Sequence, residues 1–424
     1  MFATLRNAWK VEDIKKRILF TLFIVLLFRI GSAIPVPFLN ASAMQAFLSD
    51  STTIFSYFNM LTGGAFSQAT VFAMSISPYI NASIIIQLLT IAIPALERLA
   101  KEGEEGKKKL SMYTKILTVV LGLVQGTGYY LFLASSNCVQ DPNFFTAMVV
   151  VLTFTAGTAV LMWLADQVNS KGIGNGISII LFAGIVARLP VSLWSHIMTM
   201  KWWSILVIIG MVAITVFVVL FNDAERRIPI QYAKRVSGRK MYGGQSTHLP
   251  IKVLLTGVLP IIFASTIVSI PGTIAAFLPT PKEGGFWEGF LKCFEYTHWV
   301  YAVLYLLLII FFSYFYASVQ YNPIEITNNI KKNGGFIPGI RPGKPSADFV
   351  SKIISKIIIV GAIFLGVVAI IPIVFANVTS HFFASAQSLA LGGTSLLIVV
   401  GVALETVQQI ESRMMMRHYK GFLD

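Results

Sequence analysis

The sequence predicts an all-α polytopic membrane protein with ten transmembrane helices. Hydrophobic residues make up 55% of the 424 residues and charged residues only 12%, far below the roughly 25% charged content of soluble domains. Apolar stretches close to the roughly 20 residues that a helix needs to cross the hydrocarbon recur along the chain. The predicted spans are residues 18–36, 71–93, 112–133, 144–165, 175–193, 203–221, 253–277, 299–321, 353–375 and 384–404.

The basic residues predict the orientation of these spans. An even number of spans places both termini on one side, and loops rich in Lys and Arg remain in the cytoplasm. The two tails and the alternate loops hold 27 of the 33 Lys and Arg residues. We therefore expect both termini in the cytoplasm. The same bias accounts for the formal net charge of +14 without nucleic-acid binding.

The longest hydrophilic loop, residues 222–252, reads NDAERRIPIQYAKRVSGRKMYGGQSTHLPIK and contains seven Lys or Arg residues. Such a loop suits an anionic partner, which could be ribosomal RNA, an acidic protein surface or lipid headgroups. The alternative is a loop whose charge serves only to orient the protein.

A short apolar segment between the first two spans breaks the pattern. Its apolar part runs from Ile54 to Leu61, is too short to cross a bilayer, and is followed by Gly63 and Gly64, which allow a sharp turn. Such a segment is tolerated at membrane depth only where protein surrounds it or where it lines a cavity. We interpret it as a re-entrant segment on the external side, with a helix lying on the membrane surface as the alternative.

The spans contain few ionisable residues, which argues against several functions. Arg29 and Lys115 lie inside spans, Arg188 and Lys356 lie within five residues of a span boundary, and Asp166 and Glu405 lie at span ends, whereas ion-coupled transporters keep such groups near the midplane. A secondary transporter is therefore the weaker alternative. A lipid scramblase would need a continuous polar groove, and none is visible.

No catalytic or metal site is predicted. The five His residues are scattered, and no Ser/His or paired-carboxylate arrangement falls at membrane depth. We expect no enzyme activity, cofactor or metal. Cys138 and Cys293 fall in predicted external loops, where they could pair or remain free thiols.

Two glycine-containing motifs have specific contexts. KGIGNGIS at Lys171–Ser178 is similar to a phosphate-binding loop, but no strand precedes it, so we interpret it as a turn that opens the fifth span. FIPGIRPGKP at Phe336–Pro345 cannot be helical and presents Arg341 at an exposed tip. We expect Arg341 to contact a partner.

Over nearly its full length the chain resembles the SecY family, the central subunits of bacterial protein-translocating channels. The shared motifs are FRIGSAIPVP at Phe28–Pro37, SPYINASIIIQLL at Ser77–Leu89, GIGNGISII at Gly172–Ile180, YAKR and QSTHLPIKV in the basic loop, FIPGIRPG at Phe336–Gly343, and GGTSLLIVV at Gly392–Val400.

The resemblance implies two pseudo-symmetric five-helix halves, residues 1–195 and 196–424, with cytoplasmic loops at 222–252 and 322–352. The halves would hinge at the link between the fifth and sixth spans and enclose an hourglass pore. Unfolded secretory chains would cross through it, and transmembrane segments would leave it sideways into the bacterial cytoplasmic membrane.

The resemblance also implies roles for individual residues. An aliphatic ring that seals the pore would comprise Ile76, Ile80, Ile177, Leu181, Ile262 and Ile398. A plug at about residues 54–66 would include Ile54, Phe55, Phe58, Leu61, Gly63 and Gly64. The lateral gate would lie between the second and seventh spans, with Asn81, Gln125, Ser265 and Thr266 forming interhelical hydrogen bonds. Partner docking would involve Lys234, Arg235, Arg239, Lys240 and Arg341.

The resemblance implies partners as well. The chain has no nucleotide-binding motif, so the driving force would come from the SecA ATPase or a translating ribosome. SecE and SecG would be the accompanying membrane subunits. Spacing independently supports two pairs of the ring, because Ile76 and Ile80, and Ile177 and Leu181, are each four residues apart and would share one helix face.

Overall fold

The structure is a computed structural model, and ten of its helices correspond to the ten predicted spans. It describes residues 6, 8–40, 42–44, 59, 62–200, 203–232, 235–237, 240–242, 246–255, 257–275, 286–294, 298–380 and 387–420. The ten helices are α1 (Glu12–Gly31), α2 (Ser77–Ala92), α4 (Glu104–Ser135), α5 (Phe144–Lys171), α6 (Gly176–Met200), α7 (Trp203–Asp223), α8 (Leu259–Ala275), α10 (Trp299–Gln320), α12 (Lys344–Ser380) and α13 (Gln387–Lys420).

Shorter elements complete the fold. Helices α3 (Pro94–Lys101), α9 (Phe286–Lys292) and α11 (Pro323–Lys332) lie outside the predicted spans, and five strands follow α7 and α11. The strands are β1 (Glu225–Tyr232), β2 (Arg235–Ser237), β3 (Lys240–Tyr242), β4 (Ser246–Lys252) and β5 (Gly335–Phe336).

Length and composition fit a membrane protein. Within the described residues, five helices are long and apolar enough to cross a bilayer, and α2 with α3 makes a sixth if this bent pair is one span. Stretches of α6, α7 and α8 form shorter apolar helices. Several helices also extend beyond the predicted spans into the basic regions: α4 begins at Glu104, α12 begins at Lys344 and α13 ends at Lys420.

The helices pack in two groups. In the first group α5 contacts α1, α4 and α6, and α4 also contacts α2. In the second group α12 contacts α10 and α13, while α8 packs on α10 and α7 packs on α13. The main contacts between the groups are α6 with α13 and α2 with α8. The division predicted near residue 195 falls inside α6, so the link between the fifth and sixth spans lies after Met200.

The second span begins later than predicted. Residues 71–76 form turns and α2 starts at Ser77, because Ser75 has a left-handed backbone (φ 50°) and Pro78 favours the first turn of a helix. At the other end α2 and α3 meet at an angle of 102°. Pro94 at the start of α3 explains the break, since the residue before a proline disfavours helical geometry.

One ion pair joins the two charged residues that the sequence places in or next to the third and fourth spans. The Nζ of Lys115 on α4 lies 2.5 Å from the Oδ2 of Asp166 on α5. Charges at membrane depth are tolerated when they pair with one another. The pair therefore links two neighbouring helices and leaves neither charge alone.

The basic loop contains a sheet that was not predicted from the sequence. Strands β1 and β4 pair antiparallel, with Ile228 opposite Leu249, and β5 adds to the other edge of β1, with Gln231 opposite Phe336. Strands β2 and β3 form a separate two-stranded sheet. Since β5 belongs to the region 322–352, the two predicted cytoplasmic loops are joined.

The two cysteines are free thiols. Cys138 is buried, and its Sγ contacts the carbonyl oxygen of Ser136 at 3.4 Å, whereas Cys293 is only partly buried. Burial raises the pKa of the Cys138 thiol. Because the thiolate is the reactive form, Cys138 is the less reactive of the two at neutral pH.

This difference gives a test of the orientation with single-cysteine variants. In intact cells stripped of any outer barrier, a membrane-impermeant maleimide should label the Cys138→Ser variant at Cys293. The Cys293→Ser variant should label only after denaturation exposes Cys138. Labelling would be followed by mass shift, and a Cys293 that reacts only after the membrane is broken would contradict an external position for this loop.

Candidate functional site

The six predicted ring residues all belong to the main hydrophobic core of the bundle. Five of them are buried, and Ile177 is partly buried against the same core cluster. They come from α2, α6, α8 and α13 and thus from both helix groups. Ile76 is the residue before α2 rather than part of it, but the amide of Ile80 still donates to its carbonyl oxygen at 3.1 Å.

The six ring side chains are all aliphatic. Ile76 and Ile398 are at most 2% exposed, and the branched side chains offer no polar atom to an ion. A narrow constriction lined by such side chains loses its water and cannot replace the hydration shell of an ion. The chemistry of these residues therefore suits a seal.

The end of the predicted plug and the residues that follow it are buried inside the bundle. Thr62, Ala65, Phe66 and Thr70 are all buried, which is incompatible with a helix on the membrane surface for this part. The hydroxyl of Tyr129 on α4 donates to the carbonyl oxygen of Phe66 at 2.9 Å. Non-helical backbone at this depth requires such internal partners.

Only part of the predicted plug lies within the described residues. Ile54, Phe55, Phe58 and Leu61 lie outside them.

Gly63 and Gly64 have left-handed backbones with φ of 67° and 92°. A Cβ on Gly63 would lie 2.7 Å from the carbonyl oxygen of Gly184 on α6, so this turn requires glycine for its backbone angle and for its close approach to α6.

Side chains accept hydrogen bonds from four backbone amides of the glycine turn at residues 172–177. The amide of Ile173 donates to the Thr21 Oγ1 (3.0 Å) and that of Gly174 to the Gln409 Oε1 (2.8 Å). The amide of Gly176 donates to the Asn169 Oδ1 (2.8 Å) and that of Ile177 to the Asn175 Oδ1 (3.1 Å). The interpretation as a turn that opens the fifth span fits these bonds.

The predicted gate residues lie on α2, α4 and α8. The prediction of interhelical hydrogen bonds is wrong for the hydroxyls of Ser265 and Thr266. Ser265 and Thr266 both donate to the carbonyl oxygen of Ile262 in their own helix, at 2.9 and 2.8 Å. Serine and threonine readily bond to the preceding turn. Asn81 and Gln125 are partly buried and have no hydrogen bond to another described residue. The contact between α2 and α8 is therefore carried by apolar packing.

Arg341 lies on a well-supported loop between β5 and α12. It is exposed, while its carbonyl oxygen accepts a hydrogen bond from the Ser346 Oγ at 2.7 Å. Gly339 and Gly343 adopt φ of 80° and 112°, and Ile337 is buried. The backbone around the guanidinium is thus fixed.

This loop and the sheet form one unit, the hairpin platform, defined as β1, β4, β5 and residues 337–343. A satellite core supports it, made of Ile228, Ile251, Ala317, Ile337, Val350, Ile354 and Ile358. Arg235 and Lys240 lie in β2 and β3, whose side chains are not described, and Lys234 and Arg239 lie outside the described residues.

Sequence reasoning missed three features of this site. The alternation of buried Ile228 and Ile230 with exposed neighbours in ERRIPIQY is a strand signal that the charge of the loop obscured. The Lys115–Asp166 pair and the contact of Gln409 with the glycine turn join residues far apart in the sequence, so no nearby sequence pattern predicts them. Within the described residues, no group of three His, Cys, Asp or Glu could hold a metal ion.

Known proteins share both the sequence and the fold. A family model described as SecY matches residues 70–407. A protein translocase subunit SecY from Streptomyces scabiei is 42% identical, with 100% of this chain and 100% of the relative covered. The chain belongs to the SecY family. It is accordingly a multi-pass membrane protein and the subunit of a protein-translocating channel.

The fold of this SecY-family chain is also that of solved channels. A solved structure of a protein-conducting channel has a TM-score of 0.67 at 20% identity, covering 94% of this chain and 92% of that one. Sec61 in a canine ribosome-channel complex from the endoplasmic reticulum has a TM-score of 0.64 at 19% identity, with 94% and 92% covered.

Proposed function

We propose that this chain is a passive conduit that carries unfolded secretory polypeptides across the bacterial cytoplasmic membrane and releases apolar segments sideways into lipid. The observation that supports the proposal is that six aliphatic side chains from both helix groups belong to the same main hydrophobic core. In the resting state this ring, Ile76, Ile80, Ile177, Leu181, Ile262 and Ile398, seals the pore. No catalytic step is needed from this chain.

The two helix groups are the moving halves. They correspond to the predicted halves 1–195 and 196–424, except that the hinge between them follows α6, which ends at Met200. Contacts within each group outweigh those between groups, which are concentrated at α2 with α8 and at α6 with α13. Parting α2 from α8 opens a path to lipid. The described gate residues form no hydrogen bonds between α2 and α8. Separating the two helices therefore breaks mainly apolar contacts, which lipid or a signal sequence can replace.

The plug, about residues 54–66, closes the pore from the external side. The support is the burial of Thr62, Ala65 and Phe66 at its end and of Thr70 just after it. The turn at Gly63 and Gly64 brings the chain against Gly184 of α6, which is three residues beyond the ring residue Leu181.

Both termini and the hairpin platform face the cytoplasm. The support is the share of basic residues on that side, 27 of 33. The platform presents Arg341, and with it Lys234, Arg235, Arg239 and Lys240, to the SecA ATPase or a translating ribosome. SecE and SecG are the accompanying membrane subunits. Copurification of small membrane subunits after mild detergent extraction tests this assembly.

The seal is tested by polar substitution of the ring. The Ile80→Asn, Ile177→Asn, Ile262→Asn triple variant should wet the constriction, so that its resting ion conductance in planar bilayers rises well above that of the parent. The matched control is Ile→Val at the same three positions, which keeps the ring apolar and should remain tight. A triple Asn variant that holds ions as well as the parent would refute the ring.

The lateral gate is tested by a reversible crosslink. One cysteine on α2 and one at a facing position on α8, in a Cys138→Ser, Cys293→Ser background, should block export when oxidised and restore it when reduced. Each single-cysteine parent, treated with the same oxidant, is the control. Export at the normal rate with complete crosslinking would show that α2 and α8 do not need to part.

Docking is tested by reversing one charge. Arg341→Glu should block translocation while membrane insertion and abundance of the protein stay normal. Arg341→Lys should give an intermediate rate, because an ammonium cannot form the forked bonds of a guanidinium. Lys344→Glu makes the same charge change at an exposed neighbour and is the control. Equal export by the two charge-reversed variants and the parent would contradict a docking role for Arg341.

A further inference from the structure

The turn between the fourth and fifth spans is held by a residue from the far end of the chain. The Gln409 side chain on α13 reaches residue 174, which precedes it by 235 positions, and accepts the Gly174 amide at 2.8 Å. The turn is also tied to α1, because the Ile173 amide donates to the Thr21 Oγ1 at 3.0 Å. The neighbouring amides of Ile173 and Gly174 thus donate to side chains on two different helices, α1 and α13.

Apolar packing reinforces the contact with α13. Ile173, next to Gly174, and Ile410, next to Gln409, are buried together with Ala8 and Ile14 in a small cluster separate from the main core. The space around Gly174 is also filled: an added Cβ would lie 3.1 Å from the Ile179 side chain and 3.3 Å from the Thr406 hydroxyl. The turn therefore has a fixed position relative to α13.

The hydrogen bond between Gln409 and Gly174 joins two helices that carry ring residues. Helix α6 begins at Gly176, directly after the turn, and contributes Ile177 and Leu181 from its first two turns. Helix α13 contributes Ile398, three helical turns before Gln409. In contrast, α1 contributes no ring residue. The Gln409 bond therefore connects the two helices that carry Ile177, Leu181 and Ile398. The Thr21 bond connects the turn to α1, which carries no ring residue.

We propose that Gln409 is a positioning residue of the pore seal: by holding the glycine turn to α13 it keeps Ile177 and Leu181 packed against Ile398. The proposal rests on the proposed function, in which these residues form the seal. Without the side-chain acceptor, the amide of Gly174 turns to water and the start of α6 can shift away from α13. The expected consequence is a resting leak of ions, without loss of the folded channel.

The test uses the full-length chain reconstituted with its copurifying subunits. Three variants are compared: Gln409→Leu removes the acceptor at nearly constant size, Gln409→Glu keeps an acceptor at the same distance along the side chain, and Thr21→Val removes only the bond to α1. Ser412→Ala, at an exposed position of α13, is the control for substitution on this helix. Resting conductance in planar bilayers and hydrogen exchange of the peptide that contains Gly174 are measured for each.

Gln409→Leu should raise the exchange rate of the Gly174 amide by about fivefold, as loss of one neutral hydrogen bond predicts, and should raise the resting conductance. Gln409→Glu, Thr21→Val and Ser412→Ala should all keep the low resting conductance of the parent. Faster exchange without a leak would overturn the positioning role. A leak of equal size in Thr21→Val would also overturn it, because any loosening of the turn would then suffice.

The outcome is separable from failure of the ring itself. If the triple Asn variant of the ring stays tight, the seal lies elsewhere and the proposed function fails at that point. If the triple Asn variant leaks and Gln409→Leu does not, the ring stands and the role of Gln409 is refuted. Unchanged exchange at Gly174 in Gln409→Leu would refute the hydrogen bond on which the proposal depends.

Discussion

Packing of aliphatic side chains between the two helix groups is the interaction on which the rest of the structure depends. Ile76, Ile80, Ile262 and Ile398 lie in the same buried cluster as the residues that hold the helices together. If the proposed ring seals the pore, the contacts that stabilise the bundle are also the contacts that exclude ions. Any opening must give up part of this packing, and it is least costly where lipid tails or an apolar passenger replace the lost contacts.

The irregular backbone between the first two spans shows how the same constraint acts on polar groups. Residues 62–76 lie in turns among the helices, where water cannot satisfy their amides and carbonyls. Protein atoms do so: the Val36 amide donates to the Ala69 carbonyl and the Val71 amide to that of Ile34, both at 3.0 Å. These bonds tie the segment to the chain that leaves α1.

The sequence predicted the elements that depend on composition and missed those that depend on geometry. All ten spans correspond to helices because long apolar runs leave few other structures possible in a membrane. The start of the second span was wrong because the left-handed backbone at Ser75 has no signal in an apolar run. The hydroxyls of Ser265 and Thr266 bond within α8, a local option that competes with any partner across the interface. The residues of the ring were assigned through resemblance, since a single isoleucine in so apolar a chain carries no distinguishing pattern.

The hairpin platform is connected to the pore helices rather than suspended on flexible loops. Its satellite core includes Ala317 of α10 and Val350 and Ile354 of α12, and Lys252 at the end of β4 donates to the Gln408 side chain on α13. Helix α12 packs along α13, which carries Ile398. Alternation along β1 makes this possible, since Ile228 and Ile230 face the core while Arg226 and Arg227 remain exposed. The platform is therefore in direct contact with α12 and α13, and α13 also contacts the glycine turn in front of α6.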